Sequence, residues 1–323
     1  MKKILFSVLA MAAFAACSNE EQIAAPQGEA ITFGAFVDNS VRADEATDPS
    51  YSAANPMSSF RLWGTVQGTG DIISIYEKVK VTGSEVAEGS VWTPVDAPVQ
   101  YWIPTAKYNF AAIVNGNDNE ITVLESENSL PKKIEFTQTE DADVDLLYSR
   151  PDEITAEETN GPVEFTFEHL LSKVKFTVHN QNTEAVGVTY EVNDITVLGA
   201  QKGDCTLATK AWGNFQPNGK ALLGNIAVAY NSAKEVCESE KLVIPTGVKL
   251  SFTVKTLLNG EEILSKDYVT ATEYTLVPGH AYNFSVNVKA GNLISFSVVD
   301  IVDWEEEPEQ NVTNDLELVV ANN

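Results

Sequence analysis

The chain has 323 residues, enough for two ordinary domains, and carries 46 Asp and Glu against 21 Lys and Arg, a formal net charge of −25. That balance argues against nucleic acid as a partner, because neutralising phosphates takes clustered cations and the sequence has no basic patch. Such acidity keeps a chain soluble, as an exposed surface protein needs.

Lys2 and Lys3 precede an apolar run from Ile4 to Ala16 that is too short to span a bilayer as a stable anchor. Phe14-Ala15-Ala16-Cys17 ends the run with small residues directly before a cysteine, as in a bacterial lipobox. Residues 1–16 are read as a signal peptide, with cleavage before Cys17 and lipid on its thiol. The alternative is an ordinary secretory signal with a chance cysteine. Residues 18–29 are a small, polar linker.

The first predicted strand follows. Ile31, Phe33 and Ala35 alternate with Thr32 and Gly34, a period-2 pattern with one apolar face. Two registers are open, one with Ile31, Phe33 and Ala35 facing the core, the other shifted at Gly34 so that Phe36 does. A turn-like Asp38-Asn39-Ser40 leads to a lone Arg42-Ala43 bond in an acidic, Ser- and Pro-containing run that extends to Ser58. A strand joined to the body through an exposed basic bond is a strand that can be cut away.

From Phe60 the pattern is β throughout. Strands are predicted at 60–66, 72–81, 108–114, 121–124, 134–136 and 145–148, with short aromatic pieces at Val91-Trp92 and Val99 to Trp102 confined by Pro94, Pro98 and Pro104. The near-continuous apolar run Tyr108 to Val114 predicts a strand buried on both faces. Pro151 to Pro162 is acidic and without periodicity, and reads as an interdomain passage. A second block opens at Val163, with strands at 163–169, 174–179, 190–198, 224–230, 241–244, 249–257, 263–269 and 282–288. Asn259-Gly260 is a hairpin turn in which both positions want positive φ. Helical periodicity is confined to the signal peptide and short pieces at 168–172 and 221–223. The expected class is therefore all-β.

After Ile294 to Asp300 and Trp304, an acidic Pro308-containing stretch leads to a last strand in which Leu316, Leu318 and Val320 share a face. It reads as a tethered strand with no place in its own molecule. Removing a strand from a sandwich opens an apolar groove edged by unpaired backbone groups, and a strand from another copy can fill it. A head-to-tail contact of that kind that does not close makes a filament. Burying Leu316, Leu318 and Val320 would contribute roughly 5–9 kcal/mol before ordering costs.

Several features in this order resemble the fimbrillins, the pilin subunits of Bacteroidetes fimbriae. They are the lipobox at Cys17, the Arg42-Ala43 bond, Val91-Trp92 with Tyr101-Trp102 and Tyr108-Asn109-Phe110, and Asp145-Leu146-Leu147-Tyr148. Phe167 to Val174, Pro278-Gly279-His280-Ala281-Tyr282-Asn283-Phe284 and Val298-Val299-Asp300 with Trp304 complete the set. Separately, the acidic Ser18-Asn19-Glu20-Glu21 resembles the surface-export tag of Bacteroidetes lipoproteins. The fimbrillin resemblance implies two transthyretin-like β-sandwich domains in tandem, here 43–160 and 161–323, preceded by a lipidated propeptide at 17–42. It implies an outer-membrane lipoprotein precursor, cut after Arg42 by an arginine-specific surface protease. The subunit then assembles with copies of itself and accessory subunits by donor-strand exchange into a fimbrium that adheres to a host or bacterial receptor. In that scheme Ile31, Phe33 and Ala35 belong to the removable strand and Leu316, Leu318 and Val320 to the donor strand. A stalk subunit fits best, a tip or anchor subunit being the alternative.

Other chemistries are weaker. His169, His179 and His280 stand on or beside strands with no nucleophile motif, and read as packing or hydrogen-bonding residues, so no enzyme and no cofactor is expected. Asp141, Asp143 and Asp145 alternate as in a calcium loop but lack its glycine and closing glutamate, and no metal is expected. A polysaccharide-binding lipoprotein is the other reading. It would use Trp63, Trp92, Trp102, Trp212 or Trp304 as stacking platforms, with Trp212 the most exposed. Cys205 and Cys237 are either a disulfide or two buried thiols.

Overall fold

The computed structural model describes residues 29–37, 57–83, 91–115, 121–138, 145–159, 161–181, 187–229, 232–235, 240–289, 293–301, 313–316 and 318–320. Every regular element among them is a β-strand. Three sheets share them.

The first sheet runs in the order β1 (Phe33–Val37), β9 (Val163–His169), β8 (Leu146–Ser149), β5 (Lys107–Asn115), β2 (Ser59–Gln67), β3 (Ile72–Thr82), β4 (Thr93–Pro94). Alternation along its strands supplies two apolar faces. Leu62, Phe110, Ala112 and Leu147 enter one core with Phe33, Phe60, Trp92, Phe165 and Phe167. Their neighbours Trp63, Ala111, Ile113, Leu146 and Tyr148 enter a second core on the opposite face. β5 is thus buried on both sides, as its unbroken apolar run requires.

The second core lies under the hairpin of β6 (Ile121–Glu127) and β7 (Leu130–Thr137), which supply Ile134 and Phe136. That hairpin belongs to another sheet. β7 pairs with the far end of β11 (Val188–Thr206), a 19-residue strand whose near half pairs with β15 (Gly247–Leu258). β16 (Glu261–Thr270) and β12 (Ala211–Val228) join this sheet on β15 and β11, and β17 (Tyr274–Thr275) pairs with β15. The remaining sheet has the order β13 (Ser232–Glu235), β10 (Ser172–Asn180), β18 (Ala281–Lys289), β19 (Leu293–Ile301), β20 (Thr313–Leu316), with β14 (Lys241–Val243) also on β10. Between these two sheets lies a third core, of which Phe176, Val192, Phe252, Phe284 and Phe296 are members. This is a sandwich, with aromatic rings stacked across its middle.

Strand pairing crosses the passage at 151–162. β9, which follows it, pairs with β8 and β1, while β6 and β7, which precede it, join β11. β10 continues directly from β9 through Leu170 and Leu171, so one extended stretch serves two sheets. The turn at Asn259-Gly260 has φ of 51° and 90°, the left-handed pair expected of an Asn-Gly hairpin.

Two elements depart from expectation. β12 starts at Ala211, well before residue 224, and includes 221–223, which the sequence pattern left as a possible short helical piece. Its first half is an edge strand, paired with β11 on one side only, and residues 211–216 are exposed or half-buried, so the segment carries no apolar alternation. The last strand also finds a place in its own chain. Thr313–Leu316 pairs with β19, and β21 (Leu318–Val320) pairs with β16, so the C-terminus lies along both sheets of the sandwich.

Candidate functional site

The first strand occupies the middle of a slot, not an edge. On one side Phe33–Val37 pairs in parallel with Val163–Phe167 of β9, and the Val163 amide donates to the Thr32 carbonyl at 2.8 Å. On the other side Phe33 and Trp92 exchange two backbone bonds, of 3.3 and 2.7 Å. The Ile31 amide donates to the Gln100 carbonyl and the Trp102 amide to that of Glu29. Trp92 adjoins β4, the opposite end of the same sheet. Residues 29–37 therefore bridge the two ends of the first sheet and close it on itself.

The side chains settle the register left open above. Ile31, Phe33 and Ala35 are all buried in the core; Phe36 lies in β1, but its side chain is outside the described residues. Phe33 meets Tyr76 and Phe110 edge-on, with ring centroids at 5.9 and 5.4 Å, and lies 5.8 Å from Phe165. Burial pushes the Tyr76 phenol up to about 12. Gly34 is buried beneath the Glu164 side chain, and a Cβ added there would run into the Glu164 carboxylate. The open groove of about 400 Å³ beside β8 and β9 is lined by residues that include Glu164, Thr166, Glu168 and Arg150. Removal of this strand would expose the aromatic pocket of Phe33 and two rows of backbone groups on the slot walls.

Three of the motifs singled out in the sequence meet elsewhere, where the first sheet joins the sandwich. Nδ1 of His169 lies 2.6 Å from an Asp145 carboxylate oxygen whose side chain is fully buried, and the Leu146 amide donates to the other oxygen at 2.8 Å. The Leu170 amide donates to the Leu146 carbonyl, the Gly279 amide to that of Leu171 and the Lys173 amide to that of His280. The Ser172 hydroxyl donates to the Val277 carbonyl at 2.6 Å, while the Tyr282 hydroxyl accepts from the Val277 amide. His280 stacks near Tyr282. These residues hold a corner between sheets. Asp145 is committed to that corner, and Asp141 and Asp143 lie outside the described residues. His179 lies on β10, half-buried. Among the described residues, no group of three His, Cys, Asp or Glu side chains could hold a metal.

The tryptophans are poor platforms. Trp63, Trp92 and Trp102 are core residues. Trp212, expected to be the exposed one, is half-buried: its indole N–H donates to the Leu170 carbonyl at 2.9 Å and its ring meets Phe136 edge-on. A polar, Gly-flanked sequence hid this, because the partners come from distant strands. The Trp304 side chain lies outside the described residues. Of the two readings for Cys205, the structure takes the free thiol: it is fully buried and pushed up to about 12 by that burial. Cys237, Cys17, Arg42 and Ala43 lie outside the described residues, as do the side chains of Leu316, Leu318 and Val320.

Among the described residues, Asp145, His169, Ser172 and Trp212 hold strands of packed sheets together. The model of the fimbrillin-like family matches residues 49–304, and the chain belongs to that family, one of fimbrial structural proteins and not of enzymes. Among solved structures, the chain is similar to a fimbrial protein from Bacteroides vulgatus. The two are 14% identical, with a TM-score of 0.60, over 83% of this chain and 98% of that one. It is also similar to candidate cell adhesion proteins from Bacteroides ovatus and Bacteroides uniformis. The first is 16% identical with a TM-score of 0.53, over 88% of this chain and 100% of the other. The second is 13% identical with a TM-score of 0.52, over 86% and 99%. At these identities the likeness is one of fold. A comparison with curated protein sequences finds no match.

Proposed function

We propose that this chain is a polymerising stalk subunit of a cell-surface fimbria, exported as a precursor lipidated at Cys17 and activated by cleavage between Arg42 and Ala43. The removed strand is Ile31 to Val37, and Leu316 to Val320 of another copy takes its place. The single observation that carries this reading is the slot. Residues 29–37 close the first sheet through backbone bonds on both sides, yet they precede the one basic bond between β1 and β2. A strand so placed blocks self-association while present and leaves a strand-shaped groove when lost. Two transthyretin-like sandwiches in tandem, an outer-membrane precursor and an arginine-specific protease follow from the same reading.

Replacing Arg42 with Ala tests it. The precursor should be exported and folded as before, and surface polymer should be lost. Polymer of normal length from Arg42→Ala cells would overturn the cleavage-dependent role. The N-terminal residue of surface-purified protein gives a second readout, with Ala43 expected.

A further inference from the structure

We propose that Glu164 and the small site at Ala35 set the direction of the strand that replaces β1. Leu316–Val320 of a second copy then enters parallel to β9, with Leu316, Leu318 and Val320 at the places of Ile31, Phe33 and Ala35. The inference rests on the strand-replacement reading above and adds to it a direction, a register and a residue that selects them.

The incoming segment alternates in the same way as β1, so Leu318 reaches the Phe33 pocket in either direction. Its flanks differ. Entering in the direction of β1, the strand puts Val319 where Gly34 stands and Glu317 where Thr32 stands. Entering reversed, it puts Glu317 at Gly34. Gly34 is the position covered by the Glu164 carboxylate. The contact at Gly34 is with the carboxyl end of the exposed Glu164 side chain, and an apolar Val319 there adds no charge beside it. Glu317 would bring a second carboxylate onto the same spot, with Glu168 on the same face of β9.

The inward sites agree. Ala35 is fully buried, so its space in the core is occupied by a single methyl group. The parallel entry asks that space to take Val320, the reversed entry the larger Leu316, and overpacking worsens with each added carbon. At the Ile31 site the parallel entry supplies Leu316, which matches isoleucine in volume. The walls also favour one direction. Trp92 offers its N–H and C=O as an antiparallel pair, and β9 offers the slanted pattern of a parallel neighbour. A strand running as β1 runs restores both ladders.

Cysteine pairing reads the direction in the full-length chain cleaved at Arg42, in a Cys237→Ser background; Cys17 leaves with the propeptide and Cys205 is buried. Phe36 is the β1 residue that pairs with Thr166, so Thr166→Cys reads the direction with Glu164 left in place. Chains carrying Thr166→Cys with Ala321→Cys should give covalent ladders on non-reducing gels. Chains carrying Thr166→Cys with Asp315→Cys, the pair that reversed entry would bring together, should give at least tenfold fewer. The reverse yield, equal yields, or no covalent ladder from either pair while the unsubstituted chain polymerises would overturn the proposal. Failure of the unsubstituted cleaved chain to polymerise would sink the strand-replacement reading itself, and this inference with it. A second arm uses charge. Val319→Glu should slow polymerisation at least tenfold, and adding Glu164→Gln should restore it. Slowing that Glu164→Gln does not relieve would remove Glu164 from the mechanism.

Discussion

Asp145, the residue before β8, and His169, the last of β9, are 24 residues apart and meet at 2.6 Å with the carboxylate fully buried. They fasten the strand that flanks the β1 slot to the corner where the chain turns into the sandwich. The neighbouring bonds from Leu170 to Leu146 and from Gly279 to Leu171 repeat the fastening in backbone. A buried carboxylate is costly without its partner, because water cannot replace it.

The first prediction concerns that pair. His169→Ala leaves Asp145 buried with only the Leu146 amide, and should lower stability by about 3 kcal/mol. Asp145→Asn keeps the volume and should cost less, about 1–2 kcal/mol. Urea denaturation midpoints at neutral pH check both values.

Phe33 should matter to the precursor alone. Phe33→Ala removes a ring packed on Tyr76, Phe110 and Phe165 and should destabilise the uncleaved protein by about 3–5 kcal/mol. Polymer already formed from cleaved chains lacks that strand, so its melting temperature should not change. An equal loss in both forms would mean that the strand stays in place.

Leu318→Asp places a charge at the centre of the proposed donor segment. Monomer folding should be preserved, because β21 touches its own sheet over three residues at the end of the chain. Polymer formation after cleavage should be abolished, as a carboxylate cannot enter the aromatic pocket of Phe33 without its own partner. Size-exclusion profiles before and after cleavage separate the two effects.

Stability should fall at high pH. The buried Cys205 thiol is raised from 9.0 to about 12 and the Tyr76 phenol from 10.0 to about 12. Each group stays protonated in the folded state while the unfolded chain loses its proton. Unfolding therefore releases protons, and stability decreases as pH rises from about 9 towards 12. The loss approaches about 1.4 kcal/mol per pH unit for each group within its window. Thermal melts between pH 8 and 11 measure it. Cys205→Ala should flatten the decline between pH 9 and 10, where Tyr76 contributes little. Native Cys205 should also resist alkylation at pH 8.

Much of the strand content was legible because alternation is a local signal. β2, β3, β5, β9, β15 and β18 lie within a few residues of their predicted positions, and Asn259-Gly260 marks its own turn. β12 was legible only in its last third, since the first half of this edge strand is largely solvated and has little buried face to impose a period on the sequence.

By itself the sequence determined the all-β class, the period-2 pattern of the first strand though not which of its residues face the core, the basic bond behind it and a matching strand at the far end. These are properties of neighbours along the chain: side-chain alternation, turn chemistry and charge. Tertiary structure alone decided that the first strand lies between β9 and Trp92 and closes a sheet, and that Asp145 finds His169. It also decided that Trp212 is tied to Leu170, that β6 and β7 serve the neighbouring sheet, and that Glu164 covers Gly34. Each of those depends on which edges meet across long sequence separations. That choice is made by shape and by shared burial, and a period-2 pattern is the same whichever partner the strand takes.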